Sequence, residues 1–237
     1  MNARIATLSL SFCGALSALP ATASELSYTF LDIGAATVDT SLEGVRTPAP
    51  SQTVSVGLTD GDGLTVAGSL AIGRRFYIAG ANETAVIAVD AFVESPLATA
   101  LLGGNFDRVA SRAAVGYVQP IGANFDLVLE LAYDAVEYDF GSFAGESFDV
   151  DEGGAALGVG LRWNPKAALE VFAMAHTSET VDVDLTSGTF DTGTRATAGL
   201  RWYFFEDLGL GFDVRSGDVD SVNVSLRFSF GDLRAGY

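Results

Sequence analysis

Beyond its first two dozen residues the chain is written in steps of two. In 222–230 (VNVSLRFSF), Val222, Val224, Leu226, Phe228 and Phe230 share one parity, and Asn223, Ser225, Arg227 and Ser229 share the other. In 125–138, Phe125, Leu127, Leu129, Leu131 and Tyr133 oppose Asp126, Val128, Glu130, Ala132 and Asp134. In 152–163, Ala155, Leu157, Val159, Leu161 and Trp163 oppose Gly154, Ala156, Gly158, Gly160 and Arg162. Side chains of a strand point alternately to its two faces, so each stretch predicts a strand with one apolar face. Similar runs at 26–38, 63–72, 76–83, 107–118, 168–181, 191–204 and 208–216 bring the predicted number to ten, with eight and twelve as alternatives. Most are close to the 9–11 residues that a tilted strand needs to cross a bilayer.

The connections have two lengths. Four are short and carry turn residues, among them Gln119-Pro120 and Asn164-Pro165. The segments 39–62, 84–106, 139–151 and 182–190 are longer and acidic; 217–221 is the short exception. Short turns at one rim and long loops at the other predict an all-β, transmembrane, antiparallel up-and-down barrel, with short periplasmic turns and acidic extracellular loops. Segment 84–106 is apolar for a loop: it is expected to extend the preceding strand through TAVIAVDAF and then form a short helical plug around PLATALL. Segment 51–60 is placed to pair with that extension, and if both were further wall strands the number would be twelve.

Which face meets lipid follows from the size of the other one. The second parity is Gly, Ala, Ser and Thr punctuated by single charges, which suits a crowded lumen, whereas the bulky apolar parity suits a lipid solvent. The parities send Asp32, Arg108, Arg112, Glu130, Asp134, Arg162, Glu170, Arg195, Arg201, Asp213, Arg215 and Arg227 inward, as a network of ion pairs. Arginine facing lipid at the bilayer midplane would cost roughly 2–4 kcal/mol. Arg162 and Glu170 flank one turn, close enough to pair, and Arg227 has Asp32 and Asp213 as its nearest partners. Aromatic residues cluster at the short turns and the chain's end, where an interfacial girdle is expected: Phe76, Tyr117, Phe125, Trp163, Trp202, Phe204 and Phe230. Tyr133, Tyr138, Phe140 and Phe190 are expected to form a second ring.

The opening run Tyr28-x-Phe30-x-Asp32 followed by Gly34, the final alternating strand ending in Phe230, and the short Pro- or Gly-containing turns resemble the small bacterial outer-membrane β-barrels grouped with the opacity and OmpA-like proteins. The resemblance spans nearly the whole chain after residue 23. It implies an outer-membrane location, insertion by the barrel-assembly machinery, and outer-membrane lipids and lipopolysaccharide as surroundings. It implies no single activity, since such barrels include adhesins, structural proteins, narrow channels and lipid-modifying enzymes.

Composition sharpens this picture. Hydrophobic residues make up 49% of the 237-residue chain, yet the formal net charge is −17. A chain this acidic repels phosphate backbones, so no nucleic-acid partner is expected. Residues 1–23 read as a signal peptide: a basic start, an apolar run, and the small-x-small sequence Ala21-Thr22-Ala23. The barrel then occupies 24–230 and a periplasmic tail 231–237. Cys13 lies inside the signal segment, so the exported chain has no disulfide framework.

Candidate chemistry is sparse. The sole histidine, His176, shares its parity with Ser178, and this His-x-Ser spacing resembles that of outer-membrane phospholipases and lipid A deacylases. Both residues point inward on the parity here, and no acid is fixed as a third member, so a catalytic role is the weakest reading. The loop acids, among them Asp60, Asp62, Glu83, Asp90, Glu94, Glu146, Asp149, Asp182 and Asp184, read as a solvated surface rather than a metal site. The sequence therefore predicts a monomeric barrel without cofactor or metal, structural or surface-interacting in role, with an ion-paired and largely filled lumen. A narrow channel for small solutes is the alternative, and a lipid hydrolase through His176 and Ser178 the second.

Overall fold

A computed structural model describes residues 28–40, 43–49, 52–95, 98–143, 146–166, 168–184, 189–217 and 219–230. The signal segment 1–23 and the tail 231–237 lie outside the described residues. The strands are β1 (Phe30–Thr40), β2 (Glu43–Ala49), β3 (Gln52–Ile72), β4 (Phe76–Ser95), β5 (Ala98–Pro120), β6 (Phe125–Phe143), β7 (Glu146–Lys166), β8 (Leu169–Asp184), β9 (Thr189–Phe205), β10 (Leu208–Ser216) and β11 (Val219–Ser229). Each from β3 to β10 pairs antiparallel with the next, and β1 closes the ring by pairing with both β11 and β3. The short β2 pairs only with the outer part of β3, so the closed wall has ten strands.

The side-chain pattern explains the closure. Ile33, Leu64, Val66, Leu131, Leu157, Val159, Leu200, Phe212, Val224 and Leu226 are exposed on the outside. Asp32, Arg108, Asp134, Arg162, Glu170 and Arg227 are buried inside. The apolar band has chemical borders. At the turn end Phe125 stacks on Trp163 (centroids 5.4 Å apart), Phe76 packs against Tyr117 (5.3 Å), and Trp202 meets Phe204 edge-on (6.4 Å). At the other end the outward face turns acidic, with Asp39, Asp62, Asp107, Glu137, Asp151, Glu179 and Asp220 all exposed. Such a girdle on one side and charges on the other frame a membrane-spanning band.

Three features differ from the sequence-based expectation. The long connections are mostly not loops: β3, β4, β5 and β7 run for 20 to 23 residues, and their pairing continues well past the apolar band. Segment 84–106 is accordingly two strands of a hairpin, and Ala98–Leu102 begins β5 instead of a helical plug. The strand extension through 84–92 and its pairing with 51–60 are as the sequence predicts, Thr53↔Glu94 to Leu58↔Val89, and they lengthen existing strands without adding to the wall. By contrast β10 has 9 residues and β11 has 11, so the rim is tall at β3–β7 and low at β10–β11.

Tyr138 is the second difference. It is 1% exposed and points inward, so it belongs to no outer ring, whereas Tyr133 is 58% exposed on the outside. Unbroken alternation from Phe125 puts Tyr138 on the parity of Asp134. The side chains of Phe140 and Phe190 lie outside the described residues. The third concerns Glu83, expected among surface acids but 5% exposed inside the barrel. It continues the parity of Tyr77, Ala79 and Ala81.

Candidate functional site in the barrel lumen

The lumen has two halves. In the half nearest the short turns, the register Asp32↔Arg227 sets two complementary side chains opposite each other. Arg227 donates from Nε and Nη2 to the two carboxylate oxygens of Asp32, at 2.7 Å each. The guanidinium lies 3.5 Å from the ring centroid of Phe30. Across the β7–β8 turn, Arg162 donates to Glu170 at 3.2 and 2.8 Å. Glu170 also accepts from Tyr203 at 3.3 Å and lies 3.7 Å from Arg227. Arg201 reaches Asp32 at 3.6 Å and Asp213 at 3.7 Å while lying over Phe172. Tyr28 sits under Arg162 and donates to Asp126 at 2.9 Å. Bidentate geometry and aromatic faces let these charges sit away from water, which isolated ions do not tolerate.

The second half begins at Glu130. Arg112 donates to Glu130 at 2.9 Å and to both oxygens of Asp134 at 2.9 and 3.1 Å. Tyr77 donates to the other oxygen of Glu130, and His176 Nε2 lies 3.0 Å from the carboxylate. Farther from the turns, Glu83 accepts from Arg108 and, at 3.0 Å, from Arg215. Large side chains fit because their neighbours are glycines. A Cβ on Gly116 would run into the ring of Tyr77, and one on Gly158 would run into His176. Beyond this tier, Val38, Leu58, Ile87, Phe106, Val136 and Tyr138 pack into an apolar cluster inside the mouth. The lumen face is therefore not uniformly small and polar, as its sequence suggests.

All twelve charged residues that the parities send inward line the lumen, and eleven of them lie in ion pairs of 3.7 Å or less. Arg195 is the twelfth, and no hydrogen bond or ion pair joins it to any described residue. Sequence reasoning missed Glu83, Tyr77, Tyr28 and Asp126 as members. Continuing the alternation of 76–83 to its last residue places Glu83 on the same face as Tyr77. Of the girdle residues, Phe76, Phe125, Trp163, Trp202, Phe204 and Phe230 are exposed on the outer surface. Tyr117, on the same face, is held by Arg75, which donates to its hydroxyl at 2.9 Å.

His176 and Ser178 are not brought together. His176 is engaged with Glu130, and Ser178, 1% exposed, shares a hydrogen bond with Thr180 at 3.1 Å. Activation of a serine needs a base within hydrogen-bond reach, which this arrangement does not supply. Among the described residues, no group of three or more His, Cys, Asp or Glu is placed to hold a metal ion.

No protein-family model matches the chain, and no curated protein matches it in sequence. Solved structures do resemble it. The β-domain of the Bordetella autotransporter BrkA aligns with 87% of this chain and 100% of its own, at TM-score 0.50 and 11% identity. The translocator domain of the autotransporter NalP from Neisseria meningitidis aligns over 95% and 96%, at TM-score 0.45 and 16% identity. The outer membrane protein OprG from Pseudomonas aeruginosa aligns over 86% and 97%, at TM-score 0.43 and 12% identity. In fold, the chain is a ten-strand antiparallel up-and-down barrel of the transmembrane class. Within that class no particular family, opacity and OmpA-like barrels included, is singled out.

Proposed function

We propose that this chain is an integral outer-membrane protein whose barrel is a closed anchor carrying paired-strand hairpins outside the membrane for surface interaction. The observation that carries the reading is the filled lumen: two tiers of ion pairs, one on each side of Glu130, and an apolar cluster beyond them. A ten-strand wall leaves little width once arginines and aromatic rings cross it. The sequence of these extensions is acidic, with Asp90, Glu94, Glu146 and Asp149 among its residues, a composition that suits an aqueous setting. Outer-membrane lipids and lipopolysaccharide are the surroundings that the apolar band and its borders suit, and the barrel-assembly machinery is the inserting partner. One barrel per unit is expected, since the wall closes on itself.

A narrow channel is the second reading. It draws on the partial exposure of Arg112 (19%) and Arg215 (25%) inside the barrel. Reconstitution in planar bilayers separates the two. The closed anchor shows no steady conductance, and none appears in Arg227→Ala, because the hairpin-side tier and the apolar cluster still fill the lumen. Ohmic steps in the unaltered protein that change with Arg112→Ala would overturn the closed-anchor reading.

A further inference from the structure

We propose that Arg195, flanked by His176 and Arg215, forms a binding site for one small oxoanion in the hairpin-side half of the lumen. The register sets the flanks. Arg195 faces His176 across β8–β9, and Arg215 faces Thr197 across β9–β10, one inward step from Arg195. Three basic side chains thus run diagonally over three neighbouring strands on one face. Two are already satisfied, His176 by Glu130 and Arg215 by Glu83. Arg195 has no carboxylate or carbonyl partner among the described residues.

The absence matters because of where Arg195 sits. Every other inward arginine has a carboxylate within 3.7 Å. The charged groups that act most on Arg195 are Arg215, Asp134, Arg108 and Arg112. The one carboxylate among them, Asp134, already receives two hydrogen bonds from Arg112. A guanidinium partly withdrawn from water and surrounded by like charge is unfavourable until an anion joins it. Its planar fork bonds two oxygens of one oxoanion at once, which a spherical ion cannot match.

Access is one-sided. The turn-side arginines are dry, with Arg162 at 8% and Arg227 at 4% exposure, whereas Arg215 is 25% exposed and Arg195 is partly exposed. Water therefore reaches the site from the hairpin side, past the short β10 and β11. Gly217 lies beside the stem of Arg195, where a Cβ would make only an ordinary contact at 3.5 Å. The site needs no through-channel, so it stands whether or not the barrel conducts.

The test is thermal unfolding of the full-length barrel refolded in detergent, titrated with inorganic phosphate, acetate or chloride at constant ionic strength. Phosphate is expected to raise the midpoint saturably by several degrees. Equal parallel shifts with acetate would assign the site to carboxylates as well, and an equal shift with chloride would overturn the oxoanion site. Arg195→Gln removes the phosphate shift and raises the midpoint without phosphate, since a repelled charge is gone. Lys166→Gln, at an exposed turn, lowers the net charge equally and retains the shift. If Arg195→Gln does not fold, Arg195→Lys serves, keeping the charge but losing the fork and weakening the phosphate response at least severalfold. No saturable shift in the unaltered protein, or an unchanged one in both Arg195 variants, overturns the proposal.

Discussion

The two halves of the lumen use one residue type for different ends. Near the short turns, Arg162, Arg201 and Arg227 are nearly dry and share the carboxylates of Asp32, Glu170 and Asp213. On the hairpin side, Arg112 and Arg215 are partly wetted, Arg195 pairs with no acid among the described residues, and the mouth is packed with Ile87, Phe106 and Tyr138. Burial thus separates the arginines of the two halves, with Arg108, at 4% as dry as Arg227, the exception on the hairpin side. In a dry site each arginine is fixed by its acid, and removing one member strands the other. In a wetted site water replaces part of a lost partner, so side chains are free to serve a ligand. The turn-side half therefore holds the wall closed, and the hairpin-side half has charge to spare.

The largest expected effect comes from breaking the dry half. Arg227→Ala leaves Asp32 with Arg201 alone, at 3.6 Å. An uncompensated buried charge costs about 3–5 kcal/mol. Urea unfolding of the refolded barrel, followed by the band shift between folded and heated protein on gels, measures it. Replacing both members, Asp32→Leu with Arg227→Met, should recover most of the loss, because no charge is then stranded. A single variant within ~1 kcal/mol of the unaltered protein would erase the difference drawn between the halves.

That pair was legible in the sequence, because alternation and strand order suffice to set Arg227 beside Asp32 in a closed ring. Arg162 and Glu170 were legible for a simpler reason: one turn joins them. The ten wall strands and the outer aromatic girdle follow from the same period of two. What the sequence hid lies past the lipid band. There the outer face no longer has to be apolar, so alternation fades in 84–106 and 139–151 although backbone pairing continues. The apolar cluster at the mouth was hidden for the converse reason. Ile87, Phe106 and Tyr138 point inward on strands whose lower stretches put large apolar residues outward, and composition alone cannot say where the rule reverses. Arg195 was legible as an inward charge but not as a partnerless one, since partnership depends on register across three strands.

A second expected effect tests whether the mouth is held by packing rather than by charge. Ile87 is fully buried among Val38, Leu58, Phe106 and Tyr138. Truncation to alanine in such a cluster costs about 2–4 kcal/mol, through lost transfer energy and the cavity left behind. The loss should be insensitive to salt. A salt-dependent loss in Ile87→Ala, measured by the same unfolding assay, would show that the mouth depends on the nearby ion pairs instead.

The smallest effect gives the cleanest comparison, because one carboxylate serves two arginines of opposite exposure. Glu83 accepts from Arg108, whose side chain is 4% exposed, and from Arg215, which is 25% exposed. The acid, its strand and its depth are common to both pairs, so burial of the donor is the main variable. Arg108→Gln removes the dry partner and leaves Glu83 with a donor that water already competes for; the expected loss is about 2–4 kcal/mol. Arg215→Gln leaves the dry bond in place, and the expected loss is no more than ~1 kcal/mol, the range of wetted pairs. Raising salt should shrink the Arg215 effect and leave the Arg108 effect nearly unchanged, since screening reaches solvent-exposed charges far more than buried ones. Equal losses for the two variants would mean that Glu83 is stabilised by total positive charge, and that dryness is not what separates the two halves. If Arg215→Gln proves neutral at every salt concentration, Arg215 contributes nothing to the wall and its charge remains available to the anion at Arg195.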